Sequence, residues 1–137
     1  MVQAGGIDAD VNNAGLNRDG LLFKKSGGVI VSTSSLSRQG NVGQTNYSAA
    51  KAGVVAMTRT RAMELSRYDI RAVVVSPGLT ATEMALSMPD EARARLTASI
   101  PVRRMGKPAE VGHAVRFVLE NDFILGRIVD IDGGPRL

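Results

Sequence analysis

The chain has 137 residues, with hydrophobic residues at 44% and charged residues at 22%, the balance of a folded globular domain and not of a disordered, collagen-like or mucin-like chain. It contains no cysteine, which excludes disulfide staples, thiolate zinc sites and thiol nucleophiles and fits a reducing compartment. Seventeen Lys and Arg against thirteen Asp and Glu leave a net charge of +4, spread as a solvated surface with few aromatics beside it, so a nucleic-acid groove is not expected.

Ile7 to Val11 reads as a short strand, interrupted by Asp8 and Asp10 and running into Asn12-Asn13-Ala14-Gly15. An unpaired Asp10 carboxylate in a buried strand would be costly, since even a neutral polar group without a partner costs ~2–7 kcal/mol. Gly27-Gly28 then opens the run Val29-Ile30-Val31, followed by Ser32-Thr33-Ser34-Ser35. Continuous β-branched residues suit a strand covered on both faces, as in parallel sheets. A loop rich in Gly, Asn and Gln covers residues 38–46. A helix follows from Tyr47 to Arg67, apolar on nearly every face in its first half, which calls for burial against a sheet and a second neighbour.

Ile70 to Val75 is a second buried strand, ended by Ser76-Pro77-Gly78. Pro89-Asp90-Glu91 starts an amphipathic helix over residues 89–99. Another helix starts at Pro108, a favourable first helical position, with Val111, Ala114, Val115, Val118 and Leu119 at core spacing. Arg127 to Ile131 forms the last strand, closed by Asp132-Gly133-Gly134. The alternation of strands and helices gives an α/β fold with a parallel sheet, one partial domain over residues 1–137. The connection between Asn12 and Val29 is short, because joining parallel strands takes a crossover of ~10–12 residues or more, usually with a helix. Only Gly20 to Lys25 can be helical there, so the join near Lys25-Ser26 reads as a deletion. No run approaches the ~18 apolar residues of a membrane span. The start at Met1-Val2-Gln3-Ala4 lacks the basic and apolar regions of a secretory signal, so a cytoplasmic location is expected.

Tyr47 and Lys51 stand at i and i+4 on a helix, so both project from one face. An ammonium close to a phenol favours the phenolate, which makes a tyrosine usable as an acid or base. Ser34 lies where a buried parallel strand ends, and open α/β sheets bind ligands at the carboxyl ends of their strands. Its hydroxyl is placed to donate to a substrate carbonyl while Tyr47 supplies a proton. The turns Asn13-Ala14-Gly15 and Pro77-Gly78, also at strand ends, let a backbone approach a ligand.

These motifs, in this order, resemble the short-chain dehydrogenase/reductase family: Asn12-Asn13-Ala14-Gly15, Ser34, Tyr47-Ser48-Ala49-Ala50-Lys51 and Ser76-Pro77-Gly78-Leu79-Thr80-Ala81-Thr82. Gly43-Gln44-Thr45-Asn46-Tyr47, Arg104-Met105-Gly106-Lys107-Pro108 and Asp130-Ile131-Asp132-Gly133-Gly134 are most similar to the 3-oxoacyl-[acyl-carrier-protein] reductases within it. The resemblance implies a Rossmann-like doubly wound parallel sheet, apparently incomplete. It implies NADP, or NAD, as cofactor and a small-molecule or acyl-carrier-linked ketone as substrate. Tyr47 would be the proton donor, Lys51 would lower its pKa and hold the ribose hydroxyls, and Ser34 would orient the carbonyl. Asn13, Ala14, Gly15, Pro77, Gly78, Thr80 and Thr82 would contact the cofactor. A homodimer or homotetramer is implied, partly through the helix over 47–67. The family's glycine-rich dinucleotide turn and its asparagine-bearing helix have no counterpart in the sequence.

Plainer readings stand beside these. His113, the only histidine, reads as a surface or packing residue, and a single histidine makes no metal site. Met84 and Met88 read as flexible packing, although the stretch Thr80 to Ile100 matches the family's mobile substrate loop. Ser32, Ser35 and Ser37 read as turn hydroxyls. The alternative to a ketoreductase is a catalytically inactive remnant that serves as a structural or oligomerising subunit.

Overall fold

The structure is a computed structural model that describes residues 9–12 and 27–135. Four strands form one sheet in the order β1 (Ala9–Asn12), β2 (Gly28–Thr33), β3 (Ile70–Pro77), β4 (Ile128–Ile131), and every neighbouring pair is parallel. The expected Asp10 cost and the one-turn helix over Gly20 to Lys25 fall on side chains and segments outside the described residues. In β1 the backbone pairs Asp10 with Ile30 and Asn12 with Ser32.

Alternation along β2 and β3 sends side chains to two faces. Val29, Val31, Val73 and Val75 pack with Ala114 and Val118 of α4 (Pro108–Glu120), with Val111, Val115, Val129 and Ile131 around them. Ile30, Ile70 and Ala72 pack with Ala62 of α1 (Thr45–Leu65). Both faces are thus covered, as the continuous β-branched runs require. Leu119, expected in the core, is instead 37% exposed.

The helix α1 starts at Thr45, two residues earlier than its apolar pattern suggests, and puts Tyr47 in the first turn. Lys51, Val55, Thr58 and Ala62 form its buried stripe against the sheet, at the spacing of one helix face. The opposite side, including Ala49, Ala50, Ala52, Gly53 and Ala56, is exposed. The second neighbour expected for that side is therefore not among the described residues. Beyond α1, residues Ser66–Tyr68 tighten into a 3-10 turn, and Asp69 in the left-handed region ends it.

Between β3 and β4 lie α2 (Glu83–Leu86), α3 (Asp90–Ser99) and α4. The short α2 is missing from the sequence reading, and the Thr82 side chain caps it by accepting from the Ala85 N–H at 3.4 Å. Helix α3 buries no residue and lies on the periphery. The guanidinium of Arg71 on β3 donates to the carbonyls of Val118, Leu119 and Ile124. A positive charge at the carboxyl end of α4 satisfies orphan carbonyls and opposes the helix dipole.

At its other end, α4 is held by Arg104, which grips Glu110 with both terminal nitrogens at 2.8 and 2.6 Å, while the Lys107 N–H donates to the same carboxylate at 2.7 Å. The Arg104 hydrogen bond, then the Lys107 backbone, lowers the Glu110 carboxyl to about 2. A carboxyl lowered on folding stabilises the fold above its unfolded value of ~4.3, and that contribution fades as pH falls toward about 2. Glu110→Gln is therefore expected to lower Tm at pH 7, with the difference from the parent shrinking steadily between these two pH values. A difference that stays constant across that range in thermal melts contradicts the assignment.

Candidate active site

The candidate residues gather at the carboxyl ends of β2, β3 and β4. Ser34 follows β2 directly, and its N–H donates to the Val75 carbonyl at 2.9 Å, extending the β2–β3 ladder by one bond. Its hydroxyl donates to the backbone carbonyl of Lys51 at 2.9 Å. In return the Lys51 ammonium donates to the Thr33 carbonyl at 3.0 Å. Strand end and helix start are thus joined by two reciprocal bonds between neighbouring residues, one of them charge-assisted. The Lys51 Nζ lies 5.7 Å from the centroid of the Tyr47 ring, as the i and i+4 spacing predicts.

Burial differs sharply within the group. Ser34 is 3% exposed and Lys51 9%, whereas Tyr47 is 45% exposed. The phenol is the outward member, and the lysine behind it is held from the strand side. Ser34 departs from its expected orientation, because its hydroxyl proton points to the helix backbone. Local sequence explains the loop between them. Ser35 caps a 3-10 turn over Leu36–Gln39 by accepting from the Ser37 N–H, and Gly40 and Gly43 take positive φ. Gln44 Oε1 accepts from Ser37 Oγ and Asn41 Nδ2, both at 2.9 Å, which ties the loop down just before α1.

Asn13, Ala14 and Gly15 lie outside the described residues. Pro77 ends β3 and Gly78 follows it, but the close approach at Gly78 is to protein. A Cβ there would sit 2.7 Å from the Asp132 Cα, and the Gly78 N–H donates to the Ile131 carbonyl at 3.0 Å. Thr80 donates its hydroxyl to the Gly78 carbonyl at 3.2 Å and bridges to Gly106, while Thr82 is occupied as the cap of α2. These residues line the same strand ends as Ser34, yet each also has a structural duty.

No local sequence pattern singles out Arg38. Its guanidinium donates to the Ser35 carbonyl, to the buried Ser76 hydroxyl and to the Asp130 carboxylate, at 3.2, 2.5 and 3.1 Å respectively. Arg38 and Asp130 stand 92 positions apart, so no local pattern announces them. A cavity of about 560 Å3 lies at the opposite end of the sheet, lined by Gly27, Gly28, Asp69, Arg71, Asp122 and Leu125 among others. It is remote from Tyr47 in strand direction, at the amino ends of β2 and β3. Met84, within the short helix α2, is exposed, and Met88, just after it, is half-buried. No group of three His, Cys, Asp or Glu among the described residues is arranged to hold a metal ion.

A parallel sheet covered by helices on both faces, with a Ser, a Tyr and a Lys gathered at its strand ends, is a Rossmann-like α/β scaffold. The family described as enoyl-(acyl carrier protein) reductase matches residues 16–135. The chain is 41% identical to the acetoacetyl-CoA reductase of Synechocystis over 84% of its own length and 49% of that protein. It is 37% identical to the 3-oxoacyl-[acyl-carrier-protein] reductase FabG of Thermotoga maritima, over 95% of this chain and 66% of the relative. It is 35% identical to the human 3-oxoacyl-[acyl-carrier-protein] reductase over 97% of this chain and 68% of that one. The chain belongs to the short-chain dehydrogenase/reductase family and is similar to its 3-oxoacyl-[acyl-carrier-protein] reductases.

The chain spans between about half and two thirds of the length of the first two of these relatives. The Thermotoga alignment runs over 163 residues, more than the 137 present here, so the relative has stretches with no counterpart.

Because the Gly78 backbone is pressed against Asp132, Gly78→Ala is expected to destabilise the fold by about 1–3 kcal/mol, the usual cost of overpacking. Urea unfolding measures this. An unchanged midpoint contradicts the contact.

Proposed function

We propose that this chain carries the proton-transfer machinery of an NAD(P)H-dependent ketoreductase, acting on a 3-oxoacyl thioester or similar ketone to give a secondary alcohol. The observation that supports this reading most strongly is the reciprocal bonding of Ser34 and Lys51 behind an outward-facing Tyr47. The relatives named as acetoacetyl-CoA and 3-oxoacyl-[acyl-carrier-protein] reductases point to the same substrate class.

Tyr47 gives its hydroxyl proton to the ketone oxygen as negative charge develops there. The positive charge of Lys51, 5.7 Å from the ring centroid, stabilises that side of the reaction electrostatically. An ammonium has three N–H donors, and the bond to Thr33 uses one of them. The other two suit the ribose hydroxyls of a nicotinamide cofactor, so this donor set fits the group. When bound, the reduced cofactor supplies the hydride. Ser34 orients the carbonyl after its hydroxyl turns from Lys51 O to another staggered rotamer. Asn13, Ala14, Gly15, Pro77, Gly78, Thr80 and Thr82 form the rest of the cofactor contact, with NADP preferred and NAD as the alternative. The working unit is a cytoplasmic homodimer or homotetramer.

One observation favours a second reading. The small residues on the outer side of α1, with Met63 beyond them, are exposed in the single chain. A non-catalytic subunit that self-associates through this side would use them without any chemistry.

Tyr47→Phe separates the two readings. Loss of the proton donor is expected to lower turnover of an acetoacetyl thioester with NADPH by ~10²–10⁴-fold, with the melting curve kept. Turnover at the parent rate contradicts the assignment of Tyr47. A parent chain that oligomerises but neither binds nor oxidises NADPH supports the second reading.

A further inference from the structure

The guanidinium of Arg38 has an unusual position for a loop arginine. Its side chain is only 9% exposed, yet it reaches three separate parts of the fold. One nitrogen donates to the Ser35 carbonyl within its own turn and to the hydroxyl of Ser76, which is fully buried on β3. Both terminal nitrogens face the Asp130 carboxylate of β4, at 3.0 and 3.1 Å. Ser76 and Asp130 are direct neighbours in the β3–β4 register. They share the face of the sheet that carries α1, because Val75, Val129 and Ile131 point to the α4 side. Arg38 therefore spans from the turn after Ser34 to the last two strands, using planar, paired hydrogen bonds that a lysine cannot reproduce.

The consequence falls on Ser34 and Tyr47. The loop joining them runs over residues 35–46 and is tied at its far end by the Gln44 side chain. At its near end the Ser34 N–H is fixed to Val75 and the Ser35 carbonyl to Arg38. Without Arg38, the turn that carries the Ser35 carbonyl loses its side-chain tie to Ser76 and Asp130. We propose that Arg38, clamped by Asp130 and Ser76, is a positioning residue that sets the placement of Ser34 relative to Tyr47. It acts through the loop and touches no reacting atom. The catalytic consequence rests on the ketoreductase reading above, whereas the positional claim does not.

Hydrogen exchange and kinetics test the two parts separately on the full chain. Arg38→Ala is expected to raise amide exchange across residues 34–40 by about tenfold or more, as expected when a local opening becomes easy, while the amides of α4 keep their parental rates. Asp130→Asn, which preserves shape and removes the charge, is expected to give a smaller rise in the same segment. It keeps the test informative if Arg38→Ala does not fold. If the chain turns over, kcat of Arg38→Ala is expected to fall by about 10- to 100-fold, the scale of a small misplacement, with KM for NADPH nearly unchanged. Arg38→Lys should recover only part of kcat. Parental exchange at residues 34–40 in both Arg38→Ala and Asp130→Asn overturns the proposal. Loosened exchange with an unchanged kcat overturns its catalytic consequence. A parent without turnover overturns the ketoreductase reading, and the exchange result then decides the role of Arg38 alone.

Discussion

Lys51 and Ser34 hold each other across the junction of a strand and a helix. The side chain of each bonds to the backbone at or beside the other, so neither can shift without releasing its partner. Lys51 is nearly buried, and a buried ammonium is tolerable only where an acceptor meets it. The Thr33 carbonyl, at the very end of β2, is that acceptor. The position of α1 on the sheet, the outward placement of Tyr47 one turn earlier and the close packing of Val55, Thr58 and Ala62 beneath it all depend on this junction.

The strand ends around that junction are held by different means. Gly78 lets β3 press against the chain leaving β4, at a separation that leaves no room for a side chain. Arg38 draws the turn after β2 toward the same two strands from the α1 side. At the opposite end of the sheet, Arg71 closes the carboxyl terminus of α4. The two arginines act at opposite ends of β3, Arg71 on carbonyls at the end of α4 and Arg38 on the Ser35 carbonyl, the Ser76 hydroxyl and the Asp130 carboxylate.

Much of this was readable from local sequence. Val29 to Val31 and Ile70 to Val75 could hardly be anything but covered strands, and Pro108 marks the start of α4 to the residue. Other features lacked a local signal. Gln44 offers no side-chain cap to α1, so the helix start could be placed only to within a few residues. The four residues of α2 are too few to show a period. Leu119 fits the apolar spacing of α4 yet is exposed in the last turn of the helix, where it borders the cavity beside Gly28 and Arg71. The tyrosine and lysine were legible because helical spacing alone sets their geometry. The bond from Ser34 to Lys51 depends on how a strand and a helix meet, and Arg38 and Asp130 meet only after 92 residues of chain have folded. Gly78 is legible as a point of close backbone approach, and the neighbour that meets it in the structure is Asp132.

The central claim is that Lys51 is held where it can serve a nicotinamide cofactor as well as the fold. A fluorescence titration of the full chain with NADPH tests it most directly, with Lys51→Met as the comparison and circular dichroism as the check on folding. The account predicts saturable enhancement of the nicotinamide emission by the parent, and at least a tenfold weaker response from a folded Lys51→Met, as loss of charge-assisted donors implies. Equal binding by the two proteins, or none by the parent, would contradict it.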